Sequence, residues 1–358
     1  MNDEVMEKLE SLVAGFQTVL YEEDDAFLSN MKTHALVDDD VRRYKYWEWP
    51  AGVGLYSCYR LYEKTGKRSY ADILDTYYQK CMGLGLPAKN INTCAPLLAL
   101  ALWNLHDRKD HYFSICHDWA EWLLTSAPRT EEGGLQHITS DTRNDGELWD
   151  DTLFMAVFFL AVMGKLERND KYVEEAQYQL LVHQKYLADT KSGLWYHGWS
   201  FLSRTNMAGA FWGRGNCWIT AFIPDFLHYC PCDDVLKRYF SNILRAQVRA
   251  LVSLQDKSGL WHTVLDDPTS YLEVSASCGI AYGMLAGWRE GLLDDSAHEA
   301  AVRALRPVLD HIDANGVVSG VSYGTPMGRE SKDFYKRIPI RSMPYGTALA
   351  LLFLMEII

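Results

Sequence analysis

Apolar positions recur along this chain at helical spacing. Tyr70, Ile73, Leu74, Tyr77, Tyr78 and Cys81 fall at i, i+3, i+4, i+7, i+8 and i+11, one stripe that predicts an amphipathic helix. Tyr112, Ile115, Cys116, Trp119 and Leu123 repeat the pattern, as do Tyr172, Val173, Ala176, Leu180 and Leu181. Between them lie segments that are apolar on every side: Cys94 to Leu102, Thr152 to Met163 and Ser275 to Ala286. All-round hydrophobicity predicts helices buried on every side, so buried and amphipathic helices alternate.

The turns repeat as well. Polar residues followed by glycine close the amphipathic segments at Gly134, Gly193, Gly259 and Gly316, spaced by 59, 66 and 57 residues. A period of this length marks a repeated supersecondary unit, and 358 residues hold about six. Six helical hairpins predict an all-α (α/α)6 barrel, with buried helices inside and amphipathic ones outside, in one domain over 1–358. A helix from about Glu4 to Tyr21 would close the ring beside the last buried helix, Tyr345 to Ile358. An open α-solenoid stacks hairpins similarly, but it needs a polar face on its terminal repeat. The last helix here is as apolar as the interior ones.

Composition narrows the function classes. Hydrophobic residues at 48% and charged residues at 23% are those of a globular protein. A net charge of −12 argues against a nucleic-acid partner. The longest apolar run, Leu153 to Met163, is 11 residues, too short to cross a bilayer. The N-terminus shows neither a basic stretch nor an apolar one, so no signal peptide is expected. None of the 8 cysteines forms a CxxC, and Cys230-Pro-Cys232 lacks a second ligand pair, so no metal site is expected. Reduced cysteines and a cytoplasmic location fit together.

In such a barrel the loops entering the inner helices gather at one end and form a cleft. Those loops carry Tyr44-Lys-Tyr-Trp-Glu-Trp-Pro50, Lys89-Asn-Ile-Asn-Thr93, His137 with Asp145 to Thr152, His197 with Trp212 to Trp218, and His262 with Ser270 to Glu273. Aromatic rings offer flat apolar surface to sugars, while carboxylates and Asn bind hydroxyls. Each residue alone has a plainer role: the Trp residues suit core packing, Glu48 and Glu273 suit helix N-termini, and Asp150 suits an N-cap.

Four strings together resemble a known family: Leu148-Trp-Asp-Asp-Thr-Leu-Phe-Met155, His197-Gly-Trp199, Trp212-Gly-Arg-Gly-Asn-Cys-Trp218 and Tyr271-Leu-Glu-Val-Ser275. They are similar to those of the unsaturated rhamnogalacturonyl hydrolases of glycoside hydrolase family 105, relatives of the unsaturated glucuronyl hydrolases of family 88. The resemblance runs from Trp47 to Tyr345-Gly346. It implies an (α/α)6 barrel without metal or cofactor, acting on small unsaturated oligosaccharides. The implied reaction releases a terminal Δ4,5-unsaturated uronic acid by hydrating its C4=C5 bond.

The resemblance further implies Asp151 as general acid and as the base that activates water. It implies substrate-binding roles for His197, Arg214, Trp212 and Trp218, with Tyr46, Trp47, Asn92 and His137 as further contacts. A guanidinium at Arg214 suits a carboxylate. Two departures stand out. Many members carry a second Asp before the second inner helix, where this chain has Asn92, and Cys217 replaces a common Gly.

Other readings remain open from the residues alone. A sugar isomerase or epimerase on this barrel would use a histidine set such as His137, His197 and His262. A two-carboxylate inverting glycosidase would pair Asp151 with Glu48 or Asp145. A non-catalytic glycan-binding barrel would bind without turnover.

Overall fold

The computed structural model describes residues 2–21, 43 and 46–358; Tyr44 and Lys45 of the first entry loop lie outside the described residues. Its helices are α1 (Asn2–Val19), α2 (Trp49–Thr65), α3 (Arg68–Leu84), α4 (Ile91–His106), α5 (Asp110–Thr125), α6 (Phe158–Glu167), α7 (Asp170–Leu187), α8 (Gly213–Tyr229), α9 (Asp234–Leu254), α10 (Val274–Arg289), α11 (Asp295–Asp310), the short α12 (Asp333–Lys336) and α13 (Pro344–Ile357). A five-residue π-turn, Leu153–Val157, leads into α6. Two short strands, β1 (Glu147–Trp149) and β2 (Gly198–Ser200), pair antiparallel.

Helices α2, α4, α6, α8, α10 and α13 form a closed inner ring, each packed on the next, with α13 returning to α2. The outer helices α3, α5, α7, α9 and α11 each pack on an inner one, and α1 covers α13. This is the (α/α)6 barrel expected from the alternation of apolar patterns. Every residue of α13 from Tyr345 to Met355 is buried, as a helix enclosed on all sides must be.

The repeated glycines explain how the rings lock together. Gly193 (φ 83°) follows α7, and a Cβ there would meet the Ala246 carbonyl oxygen of α9 at 2.6 Å. Gly316 (φ 74°) follows α11, and a Cβ there would meet the Ser11 carbonyl of α1 at 2.0 Å. Only glycine supplies both the left-handed backbone and the close approach. In the first turn the left-handed residue is Gly133, one position before the glycine that aligns in sequence.

Farther along the inner helices, a buried polar cluster ties three of them at the barrel axis. Asp225 of α8 accepts from Tyr56 (2.6 Å) and Arg60 (2.8 Å) of α2 and from Tyr282 (2.6 Å) of α10. Each donor satisfies a lone pair, so the buried charge pair is paired and hydrogen-bonded, as such charges must be.

Candidate active site

The N-terminal ends of the inner helices and their entry loops enclose a cavity of about 510 Å³. Its wall includes Glu48 and Trp49 at the start of α2, Asn92 in α4, and His137, Asp141, Trp149 and Asp151 from the long loop before α6. Trp212 and Arg214 of α8, Tyr323 and Thr325, and Tyr345 of α13 complete it.

The β1–β2 ladder sets the position of Asp151. Trp149 pairs with Gly198, and just beyond that pair the Asp150 N–H donates to the His197 carbonyl at 3.0 Å. His197 therefore lies beside the two aspartates. A donor atom from each of Asp150, Asp151 and His197 lies within 4.8 Å of the others. The chain then enters the π-turn, which places an extra residue in the first turn of the inner helix; π-turns of this kind are common at functional sites.

Asp150 is fully buried, with its carboxyl beside that of Asp151. Burial, and next the charge of Asp151, push its carboxyl well up. Burial also raises Asp151, but contacts with His197, His137 and Asp150 outweigh it and hold Asp151 low. The two carboxyls are thus pushed in opposite directions, Asp150 toward its neutral form and Asp151 toward its charged form. His197 Nε2 stands 3.3 Å from Asp151 Oδ2.

A chain of donors fixes the imidazole. The Gly328 N–H donates to the Tyr335 hydroxyl at 3.1 Å, and that hydroxyl lies 2.7 Å from His197 Nδ1. Burial drives the Tyr335 phenol up and His197 down, so the phenol stays protonated and the imidazole neutral. A phenol that donates to Nδ1 leaves the imidazole proton on Nε2, facing Asp151. His137 stacks on Trp149 (centroids 4.4 Å apart, 10° between planes), contacts Thr152 Oγ1 through Nδ1 at 2.8 Å, and is lowered to about 4 by burial.

Arg214 is buried between the rings of Trp212 (4.6 Å) and Tyr345 (4.8 Å) and lies 3.5 Å from Glu273. Its Nη1 donates to the Ser322 carbonyl (3.1 Å) and hydroxyl, and its Nη2 to the Tyr323 carbonyl (3.3 Å) and Thr325 Oγ1 (2.9 Å). The fork expected to grip a carboxylate is therefore largely engaged by the 322–325 loop. Glu273 caps α10 through Ala276 N–H and neutralises the guanidinium.

Of the residues singled out in the sequence, Tyr46, Asn92, His137, Asp151, Trp212 and Arg214 line the cavity, while Trp47, His197 and Trp218 do not. Trp47 packs on Tyr77 and donates from its indole to the Thr93 carbonyl at 2.9 Å, tying α2 to α4. Trp218 lies behind the wall, edge-on to Trp49 (6.0 Å), whose own ring stacks on Tyr345 (4.6 Å). Both indoles support wall residues rather than form the wall. His197 is 2% exposed and stands behind the wall beside Asp151. Sequence reasoning passed over Trp49, Trp149, Tyr323, Thr325 and Tyr345. Trp49 and Trp149 stand at the same loop-to-helix station as the chosen residues, and that station was the signal available.

His262 is held by the Ser270 carbonyl (2.6 Å), near Asp256, and is not in the cavity wall. The three histidines that an isomerase would share do not meet here.

Comparisons with known proteins place the chain among glycoside hydrolases. The chain is 34% identical over 318 residues to the unsaturated rhamnogalacturonyl hydrolase YesR of Bacillus subtilis (strain 168), covering 87% of this chain and 90% of that one. A crystal structure of a possible GH105 member from Salmonella enterica serovar Paratyphi A superposes with a TM-score of 0.89 at 42% identity, covering 98% of this chain and 93% of that one. One from Klebsiella pneumoniae gives 0.89 at 40%, covering 98% and 92%. At 16% identity, the unsaturated glucuronyl hydrolase of Bacillus sp. GL1 shares the fold, with a TM-score of 0.72 over 100% of this chain and 97% of that one. With the profile of glycosyl hydrolase family 88 matching residues 21–358, the chain belongs to that family.

Proposed function

We propose that this chain removes a terminal Δ4,5-unsaturated uronic acid, galacturonic in type, from the short oligosaccharides that pectin and rhamnogalacturonan lyases leave behind. The observation that carries this reading is the Asp150–Asp151 pair. Asp151 lies in the cavity wall with His197 Nε2 3.3 Å away, and the buried Asp150 beside it is pushed toward its protonated form while Asp151 is held toward its ionised form.

A vinyl ether asks for those two states in succession. The pair delivers its proton through Asp151 to C4, and the ring oxygen stabilises the cation that develops at C5. Water adds at C5 and returns a proton to the Asp151 carboxylate, so the pair ends as it began. The resulting hemiketal rearranges and releases the neighbouring sugar. Every step is a proton transfer or a water addition. Trp49, Trp149 and Trp212 supply flat apolar surface for the ring, and Asn92 supplies an amide for its hydroxyls.

The test uses an unsaturated rhamnogalacturonan disaccharide and follows the ultraviolet absorbance of its double bond. Wild-type protein removes the absorbance, and Asp151→Asn lowers kcat by at least about 10²-fold. Unchanged turnover in that variant would remove Asp151 from the mechanism. Equal cleavage of the saturated disaccharide would instead favour a two-carboxylate glycosidase. Binding without turnover in the wild type would favour a glycan-binding barrel.

We place the activity in the cytoplasm. All eight cysteines are free thiols, seven of them buried, as suits a reducing compartment. Among the described residues no helix is long and apolar enough to cross a membrane.

A further inference from the structure

Glu48 stands at the mouth of α2 as its N-cap residue, yet its side chain makes no capping bond. The carboxyl turns instead toward the loop before α6, where Ser140 Oγ donates to Oε1. Asn90 Nδ2 donates in turn to Ser140 Oγ at 3.0 Å, and Asn90 is itself fixed by its capping box with Thr93. Oε1 is thereby held as an acceptor. Oε2 is buried without a partner, and Glu48, 5% exposed, lies in the wall of the cavity. An unpartnered carboxyl atom in a cavity wall is expensive to keep empty.

We propose that Glu48 contacts substrate: its Oε2–H donates a hydrogen bond to an acceptor oxygen of the anionic sugar. This rests on the reading of the cavity as a uronic-acid site. The charge inventory supports it. Asp141 and Asp151 line the same cavity, and among the described residues its one arginine, Arg214, is matched by Glu273. A further carboxylate would repel an anionic ligand, whereas a neutral acid donates to it.

The surroundings keep the acid neutral. Burial, with a smaller push from Asp141, raises Glu48 to about 8, against the opposing hydrogen bond from Ser140. Around it, the loop before α6 brings His137, held neutral by burial, and Asp141. The segment before α4 brings Lys89, which is turned away onto Asp118 at 2.5 Å, and the segment before α2 brings Arg43, whose Nε approaches Gly85. Segment 89–93 contributes Asn92 and no carboxyl to that side of the wall.

The experiment measures binding of the unsaturated rhamnogalacturonan disaccharide by calorimetry between pH 6 and 9. It compares Asp151→Asn with Asp151→Asn carrying Glu48→Gln or Glu48→Ala. With Glu48 present, the affinity should fall about tenfold per pH unit above about pH 8, because binding then requires uptake of a proton. Gln, which keeps a donor but no titration, should bind as well at pH 6 and stay flat to pH 9. Ala should bind about tenfold more weakly at pH 6. The same alkaline fall in the Gln variant, or undiminished binding in the Ala variant, overturns the role of Glu48. No binding at any pH by Asp151→Asn alone would instead overturn the reading of the cavity.

Discussion

Tyr335 reaches His197 from 138 residues away and meets it at Nδ1, the ring nitrogen that does not face Asp151. Nothing in the local sequence marks it, because the contact exists only once α12 folds over the cavity. Asp151 differs: its Trp-Asp-Asp-Thr string stood out in the sequence. The aromatics fall between these cases. Residues before an inner helix serve either as wall or as support for it, and periodicity cannot separate Trp49 from Trp218 when both are apolar and in edge-on contact. Tyr335→Phe should leave Nδ1 without its donor and let the proton shift there, facing away from Asp151. We expect kcat to fall about ten- to a hundredfold with little change in KM. A matching rise in KM with kcat preserved would assign Tyr335 to binding instead.

At the scale of elements, the repeated helix-closing turn was plain in the sequence, while the π-turn and the β1–β2 ladder were not. Strands of three residues lack enough alternation to register, and a π-turn differs from an α-helix in hydrogen bonding rather than in pattern. The turn glycines yield a prediction that separates backbone strain from packing. Gly66 ends α2 at φ 67°, and a Cβ added there would meet nothing within 4 Å. Gly66→Ala should therefore cost about 1 kcal/mol, the strain of the left-handed backbone alone. Gly316→Ala carries the same strain and also drives a Cβ into the Ser11 carbonyl of α1. We expect it to cost at least about 2 kcal/mol more in urea denaturation and to loosen α1 from the ring. Equal costs at the two positions would show that the close approach to α1 relaxes freely.

For the whole molecule, buried titratable groups of opposite kind oppose one another. His137 and His183 are each lowered to about 4 by burial, so between about pH 4 and 6.5 the unfolded chain binds more protons through them, and they favour folding as pH rises. Glu48, raised to about 8, and Asp150, raised well above its usual range, bind protons in the folded state that the unfolded chain has already released. Above about pH 4.5 they favour unfolding as pH rises, and in the window up to 6.5 they oppose the histidines, to which His197, also lowered by burial, adds. Above about 6.5 the histidines are neutral in both states, and the carboxyls act alone. There the net charge of −12 adds self-repulsion in the same direction. Stability should therefore decline from about pH 6.5 to 8, by up to about 1.4 kcal/mol per pH unit for each carboxyl. Glu48→Gln should remove one of those slopes, leaving the variant more stable than wild type at about pH 8 and roughly equal to it at about pH 4.5. Urea denaturation across that range reads the difference directly, and a variant whose advantage does not grow with pH would show that Glu48 is ionised in the folded protein. A group that destabilises the resting fold in this way is retained where it serves the ligand, which ties the alkaline decline in stability to the alkaline loss of sugar binding expected at the same carboxyl.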